Sequence, residues 1–352
     1  MNLAIDFGSQ YLKFAFFDKK NSKIKILYSE SIFYNFKDVD FLEKFLEDLI
    51  FKTKTKLNKI IFGFSGLPAF VVFKKKEIKR PKPLKRISKS EVSRIIKDIQ
   101  KESFLEVQKK SKQDLTIVQA KIKRILLQGL EVDDPIERVG KQIQFEIFNL
   151  YLPIAIYKVL SKFTKEYKVD FKYIPEIILE KLFKDNEKKL IIDVGGLITE
   201  MFFSDGEKLN SFLTIPFGGE SLNQDLKKQI GFPDSETQRI REMIFTKYKK
   251  GFFSYNIERI IGSCVSNFSK KFNNLILETL EKNKNNIILP SKIYFTGGGS
   301  KFLNKDFLNK SFKKFFTKNI PTFKLAPIYF KNFSNIQELD DIQITNLLTL
   351  CL

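Results

Sequence analysis

Three glycine turns, each closing an apolar run and each far from the others, constrain this chain more than any other feature. The first lies in Leu3–Phe17, LAIDFGSQYLKFAFF, the second in Leu190–Phe203, LIIDVGGLITEMFF, and the third in Ile293–Leu303, IYFTGGGSKFL. The first two read as strand, tight turn and alternating strand, with Asp6 and Asp193 at the end of the buried run. The third reads as a strand running into three glycines and a helix start. Glycines let backbone N–H groups approach phosphate oxygens, and a carboxylate at a strand end orients a hydrated cation. One such turn is equally an ordinary β-hairpin; three in this order point to a shared phosphate site.

With 352 residues the chain has length for two domains, each with its own core. Lys and Arg number 62 against 41 Asp and Glu, a formal charge of +21. A basic balance suits nucleic acid or an anionic membrane. The lysines are spread along the chain, however, so the balance reads as compositional habit; no nucleic acid is expected, and a peripheral membrane contact stays open. The absence of histidine excludes a Ser-His-Asp triad, a histidine metal site and an imidazole base. Two distant cysteines, Cys264 and Cys351, fit a reducing cytoplasm, and no apolar run approaches the roughly 20 residues that span a bilayer. The expected location is cytoplasmic, with the inner face of the cell membrane within reach.

In chain order, the Asp6 hairpin is followed by a periodic helix near residues 40–53, a strand at Lys59–Phe64 and a turn at Ser65–Pro68. Alternation of strands and helices predicts an α/β domain. Lys74–Lys89, KKKEIKRPKPLKRISK, reads as a solvated linker. An N-capped helix over 88–103, an alternating run over 115–127, a turn at Asp134–Gly140 and a strand through Ile143, Phe145 and Ile147 form an inserted module. A helix over 152–165 then returns the chain to the first domain. The expected division is 1–79 and 151–188 for the first domain, 80–150 for the insertion and 189–352 for the second domain.

Two strand–Asp–Gly turns followed by a strand–Gly–Gly–Gly turn resemble the actin/Hsp70/sugar-kinase superfamily. Within it, GLEVDDPIERVGKQIQFEI (129–147), IPFGGESLNQD (215–225), TQRIR (237–241) and TGGGS (296–300) resemble the bacterial division protein FtsA. A relative, the pilus-assembly protein PilM, writes a first loop that IDFGSQYLKF matches without a gap. The resemblance implies an actin-like two-domain ATPase fold of duplicated RNase H-like domains, with an FtsA-type inserted subdomain. ATP and magnesium are the implied ligands. It places the nucleotide against Asp6, Gly8, Ser9, Gln10, Tyr11 and Lys13 in the first turn and Asp193, Gly195, Gly196 and Thr199 in the second. Gly218, Gly219, Gln238 and Arg241 follow, and Gly297, Gly298, Gly299 and Ser300 lie against adenosine. Asp6 and Asp193 would hold magnesium through water.

The departures concern chemistry. The second loop reads DVGGLITE where the family writes DIGGGTTD, so Leu197 and Ile198 replace glycine and threonine, and Glu200 the closing aspartate. A side chain at Leu197 is expected to resist positive φ and hold the backbone away from phosphate. Arg241 stands where the family writes lysine. Glu176 and Glu180 are the carboxylates available near the second loop for positioning a water, and at most a slow ATPase acting as a nucleotide switch is expected. The final segment, Asp340–Leu352, reads as the last core helix of the second domain and lacks the basic flank of a membrane-surface helix. Three functions follow. An FtsA-like protein would self-associate, as filament or dimer, and link the tubulin-like division protein FtsZ to the membrane. A PilM-like scaffold would instead bind a pilus inner-membrane protein. A sugar or acetate kinase would need a catalytic Asp that the sequence does not reveal.

Overall fold

The computed structural model describes all residues except 21–22, 36, 52, 54–56, 112, 184–185, 207, 234–235, 238–239, 241–253, 317–319, 325–332 and 335–344. Three sheets organise the described residues. The first contains β1 (Asn2–Phe7), β2 (Tyr11–Lys20), β3 (Lys23–Phe33), β4 (Lys59–Phe64), β9 (Lys168–Tyr173) and β15 (Phe333–Ser334), in the order β15-β3-β2-β1-β4-β9. The second contains β10 (Lys188–Val194), β11 (Thr199–Asp205), β12 (Lys208–Ile215), β13 (Lys292–Thr296) and β14 (Thr322–Lys324), in the order β12-β11-β10-β13-β14. The two repeat one plan. A hairpin, β1–β2 or β10–β11, continues into a third antiparallel strand, while its first strand pairs in parallel with β4 or β13 on the other side.

The apolar runs set these strands. Leu3, Ala4, Ile5 and Phe7 are buried on both faces, as are Leu190, Ile191, Ile192 and Val194, so helices must cover both sides. Helix α1 (Val39–Phe51) covers the first sheet with Leu42 and Leu46. Helix α3 (Ile154–Lys162) packs beside it, and α4 (Ile174–Leu182) packs on β9 and β12. The second sheet lies against α5 (Gly219–Ile230) and the long helix Tyr255–Lys282. There Phe268 stacks on Phe217 with centroids 5.1 Å apart.

The third sheet is antiparallel, in the order β5-β8-β6-β7, built from β5 (Phe70–Lys79), β6 (Leu115–Leu127), β7 (Leu130–Glu131) and β8 (Gln142–Pro153). Helix α2 (Lys89–Ser111) buries Ile95, Ile99 and Val107 against it. The inserted sheet therefore begins ten residues before position 80. Much of the expected linker is strand: Lys74–Lys79 pair with Gln142–Ile147 of β8, and Lys74 and Lys76 form ion pairs with Glu106 and Glu102 on α2. Beyond it, Arg80 is 7% exposed and clamps the loop, reaching Glu91 at 2.7 Å and the carbonyls of Gly140 and Lys85 at 2.9 Å.

The C-terminal helix, Thr345–Cys351, departs from its expected place in the second domain. It packs on β1, β4 and α4, and Leu347, Leu348, Leu350 and Cys351 join the core of the first sheet. Leu350 sits so close over Gly63 of β4 that a Cβ there would lie 2.3 Å from its Cδ1. An apolar helix needs a wide hydrophobic seat, and the glycine in β4 opens one on the first sheet. Ile342 and Ile344 lie outside the described residues.

Candidate nucleotide cleft

The two aspartate hairpins close in the same way. Gly8 N–H donates to Tyr11 O, and Gly195 N–H donates to Ile198 O, both at 3.0 Å. A Cβ would fall 2.9 Å from Tyr11 O at the first position and 2.8 Å from Ile198 O at the second, so both turns require glycine by close approach. They face each other. Ser9 Oγ accepts from Leu197 N–H at 2.9 Å, and Gln10 Nε2 donates to Glu220 Oε2 at 2.5 Å. Gln10 also fills the space that a Cβ on Gly196 would enter. The start of α5 docks on the second turn, with Gly219 and Glu220 N–H groups donating to Gly195 and Gly196 carbonyls at 2.9 and 2.8 Å. Leu197 takes its place without positive φ, so the strain expected of a non-glycine residue does not arise.

The third turn closes the remaining side. Gly297 has φ +81°, and a Cβ there would lie 2.2 Å from Asp193 Oδ1 and 2.6 Å from Val194 O. Together the turns enclose a cleft of about 370 Å³, within the size range of small-ligand sites. Its wall includes Gly8, Ser9, Gln10, Tyr11, Lys13, Asp193, Gly195, Gly196, Gly219 and Gly297–Gly299 among the residues expected from sequence.

Other expected residues lie elsewhere. Asp6 is fully buried beneath Lys13, whose Nζ stands 3.3 Å from its Oδ2. Thr199 points away from the cleft and donates to Phe217 O at 2.7 Å, because strand neighbours of Glu200 face the opposite side. Ser300 is buried and donates to Gly297 O at 2.7 Å, stabilising the turn from behind. Gly218 supports the second turn, where a Cβ would meet Gly196 O at 2.5 Å. Gln238 and Arg241 lie outside the described residues. Glu176 is buried against the insertion, paired with Lys121 at 3.0 Å and with Lys123, while Glu180 meets Lys123 at 3.2 Å. Neither carboxylate lines the cleft, so both are engaged in structure.

Several wall residues escape a local reading. Ser31 lies on β3, Ser65 and Gly66 follow β4, Ile198 precedes β11 and Glu200 lies on it. Asn346 comes from the C-terminal helix and donates through Nδ2 to Asp193 Oδ2 at 2.9 Å. Its only sequence signal is an amide within an apolar run.

Burial shapes the electrostatics. Desolvation pushes Asp193 up to about 6, against the opposing pull of the Asn346 hydrogen bond and of Lys13. Glu200 is pushed up to about 8, first by burial and then by Asp193; its Oε1 accepts from Tyr173 OH at 3.3 Å. Burial also raises Asp6, partly offset by Lys13. Among the described residues, Asp6 Oδ1, Asp193 Oδ1 and Asn346 Oδ1 are buried and lack hydrogen-bond partners. No group of three His, Cys, Asp or Glu suited to a metal occurs among them. Oxygen acceptors left without donors fit a hard, hydrated cation such as magnesium, which keeps several waters and takes few protein oxygens. Asp193 would face it from the wall, with Asp6 contributing charge from behind. Bound there, the cation would offset the negative charge of a phosphate chain.

No family model and no curated protein matches the chain. Among solved structures, a PilM-PilN type IV pilus biogenesis complex is similar at 12% identity and TM-score 0.69, over 99% of this chain and 97% of that one. The ethanolamine utilization protein EutJ from Carboxydothermus hydrogenoformans matches at 10% identity and TM-score 0.49, over 99% and 88%. An archaeal actin homologue matches at 11% identity and TM-score 0.43, over 99% and 97%. The likeness to the pilus protein, which covers the inserted sheet as well, agrees with the α/β, actin-like fold of this chain.

Proposed function

We propose that the cleft binds ATP with magnesium and that the chain is a nucleotide-gated scaffold with at most slow ATPase activity. The observation that carries this reading is the pairing of two equivalent aspartate hairpins, joined by Ser9 and Leu197 and closed by Gly297. Phosphates would sit between the turns, Lys13 beside them, and adenosine along Gly297–Gly299. The whole-length likeness to the pilus protein favours a PilM-like role: a cytoplasmic protein, at the inner face of the membrane, binding the tail of a pilus inner-membrane protein. No helix among the described residues is long and apolar enough to cross a membrane, so attachment would come through such a partner.

One observation favours the FtsA-like alternative, in which the chain self-associates and links FtsZ to the membrane. The segment 129–147 of the insertion carries the Asp133–Asp134–Pro135 pattern of that family. Affinity purification of the tagged full chain from its own cells separates the two. Recovery of a pilus inner-membrane protein supports the first role, and recovery of the tubulin-like polymer protein supports the second.

A further inference from the structure

Asp6 is the residue expected to share the cation with Asp193, yet it lies wholly buried under Lys13. Asn346 stands with Asp193 on the cleft wall, bonded to it through its amide nitrogen, and brings an oxygen of its own. Asn346 is 4% exposed, and its amide orientation is fixed by chemistry. Nδ2 lies 2.9 Å from Asp193 Oδ2 and 3.4 Å from Ser65 Oγ; the flipped amide would set an acceptor against a carboxylate. Asn346 Oδ1 is then a buried atom without a donor, as is Oδ1 of the Asp193 to which its amide is bonded. An amide oxygen and a carboxylate oxygen are hard donors of the kind that magnesium or manganese accepts, directly or through water.

We propose that Asn346 supplies the second protein oxygen of a divalent-cation site with Asp193, so that the cation bridges the second sheet and the C-terminal helix. The site rests on the nucleotide-cleft reading for its purpose, but its composition does not depend on ATP. Asp193 lies on β10, while the helix bearing Asn346 is seated on β1 and β4 through Leu347, Leu348 and Leu350. A cation held between them therefore couples occupancy of the cleft to the docking of that helix. This is a route by which a bound phosphate chain with its cation can be sensed at the C-terminal segment.

The test uses manganese alone as the probe, read by electron paramagnetic resonance on the full chain without nucleotide. Asn346→Ala is expected to weaken manganese binding at least about tenfold, since even a partner that only orients a metal ligand is worth about 10–100-fold. Asn346→Asp, which keeps an oxygen, is expected to bind better than the alanine variant. Unchanged affinity in Asn346→Ala overturns the assignment. Should that variant fail to fold, hydrogen exchange on the wild type decides. Manganese is expected to slow exchange in Thr345–Cys351, and no change there overturns the proposal. Absence of ATP binding in the wild type would count against the nucleotide reading alone, since the manganese measurements contain no nucleotide.

Discussion

Lys13 and Glu200 occupy the same position of two equivalent hairpins. Lys13 faces Asp6 across β1 and β2, and Glu200 faces Asp193 across β10 and β11. The first aspartate is thus met by a cation and the second by another carboxylate. One side of the cleft is internally neutralised, while the other sets together two buried carboxyl groups whose ionisation burial holds back and a bound cation would favour.

That asymmetry sets a pH dependence. Asp193 and Glu200 are raised in the fold, to about 6 and about 8, so the unfolded chain releases their protons more readily. Their contribution to stability is full below the unfolded carboxyl values and is lost as pH rises through 6 and then 8. Urea unfolding of the nucleotide-free protein is expected to show lower stability at about pH 8.5 than at about pH 5.5. Glu200→Gln is expected to flatten the upper half of that decline. A wild-type stability that climbs steadily across this range contradicts the assignment.

Lys13→Met leaves Asp6 buried without its cation. Breaking a buried pair from one side costs about 3–5 kcal/mol, and a loss of that order is expected at neutral pH. Adding Asp6→Asn removes the stranded charge and is expected to recover part of the loss. A double-mutant cycle by chemical denaturation measures this, and purely additive effects would argue that the two side chains do not interact.

Two glycines give opposite expectations. Gly297→Ala places a methyl 2.2 Å from Asp193 Oδ1 at positive φ, so folding stability is expected to fall by about 2 kcal/mol or more, with nucleotide binding lost. Gly262, inside the long helix with nothing within 4 Å of a Cβ, is expected to gain about 0.5–1 kcal/mol when replaced by alanine. Thermal unfolding of both variants, beside fluorescence titration, checks the pair.

The glycine turns could be read from sequence because each is a local pattern, strand to turn to strand, whose geometry neighbours dictate. The family resemblance places Thr199 and Ser300 in the site, yet side-chain direction turns both away from it. Asn346 and Ser65 could not be placed, since their position depends on how the C-terminal helix returns across β4 and α4. The run from Lys74 looked solvated because its charges are paired by α2, an element distant along the chain.

Glu176 offers a discriminating variant. Its carboxylate is 2% exposed and bound to Lys121 and Lys123 of the inserted sheet. Glu176→Gln is expected to cost about 1–3 kcal/mol of stability while leaving nucleotide affinity and any hydrolysis per bound nucleotide unchanged. A selective loss of hydrolysis at full stability would return Glu176 to the chemistry.

Titration of the wild-type chain with a fluorescent ATP analogue, with and without magnesium, tests most directly whether the three turns form one triphosphate site. Saturable binding that tightens with magnesium and disappears in Gly297→Ala is the expected result. Absence of saturable binding in either condition, from a folded protein, would contradict it.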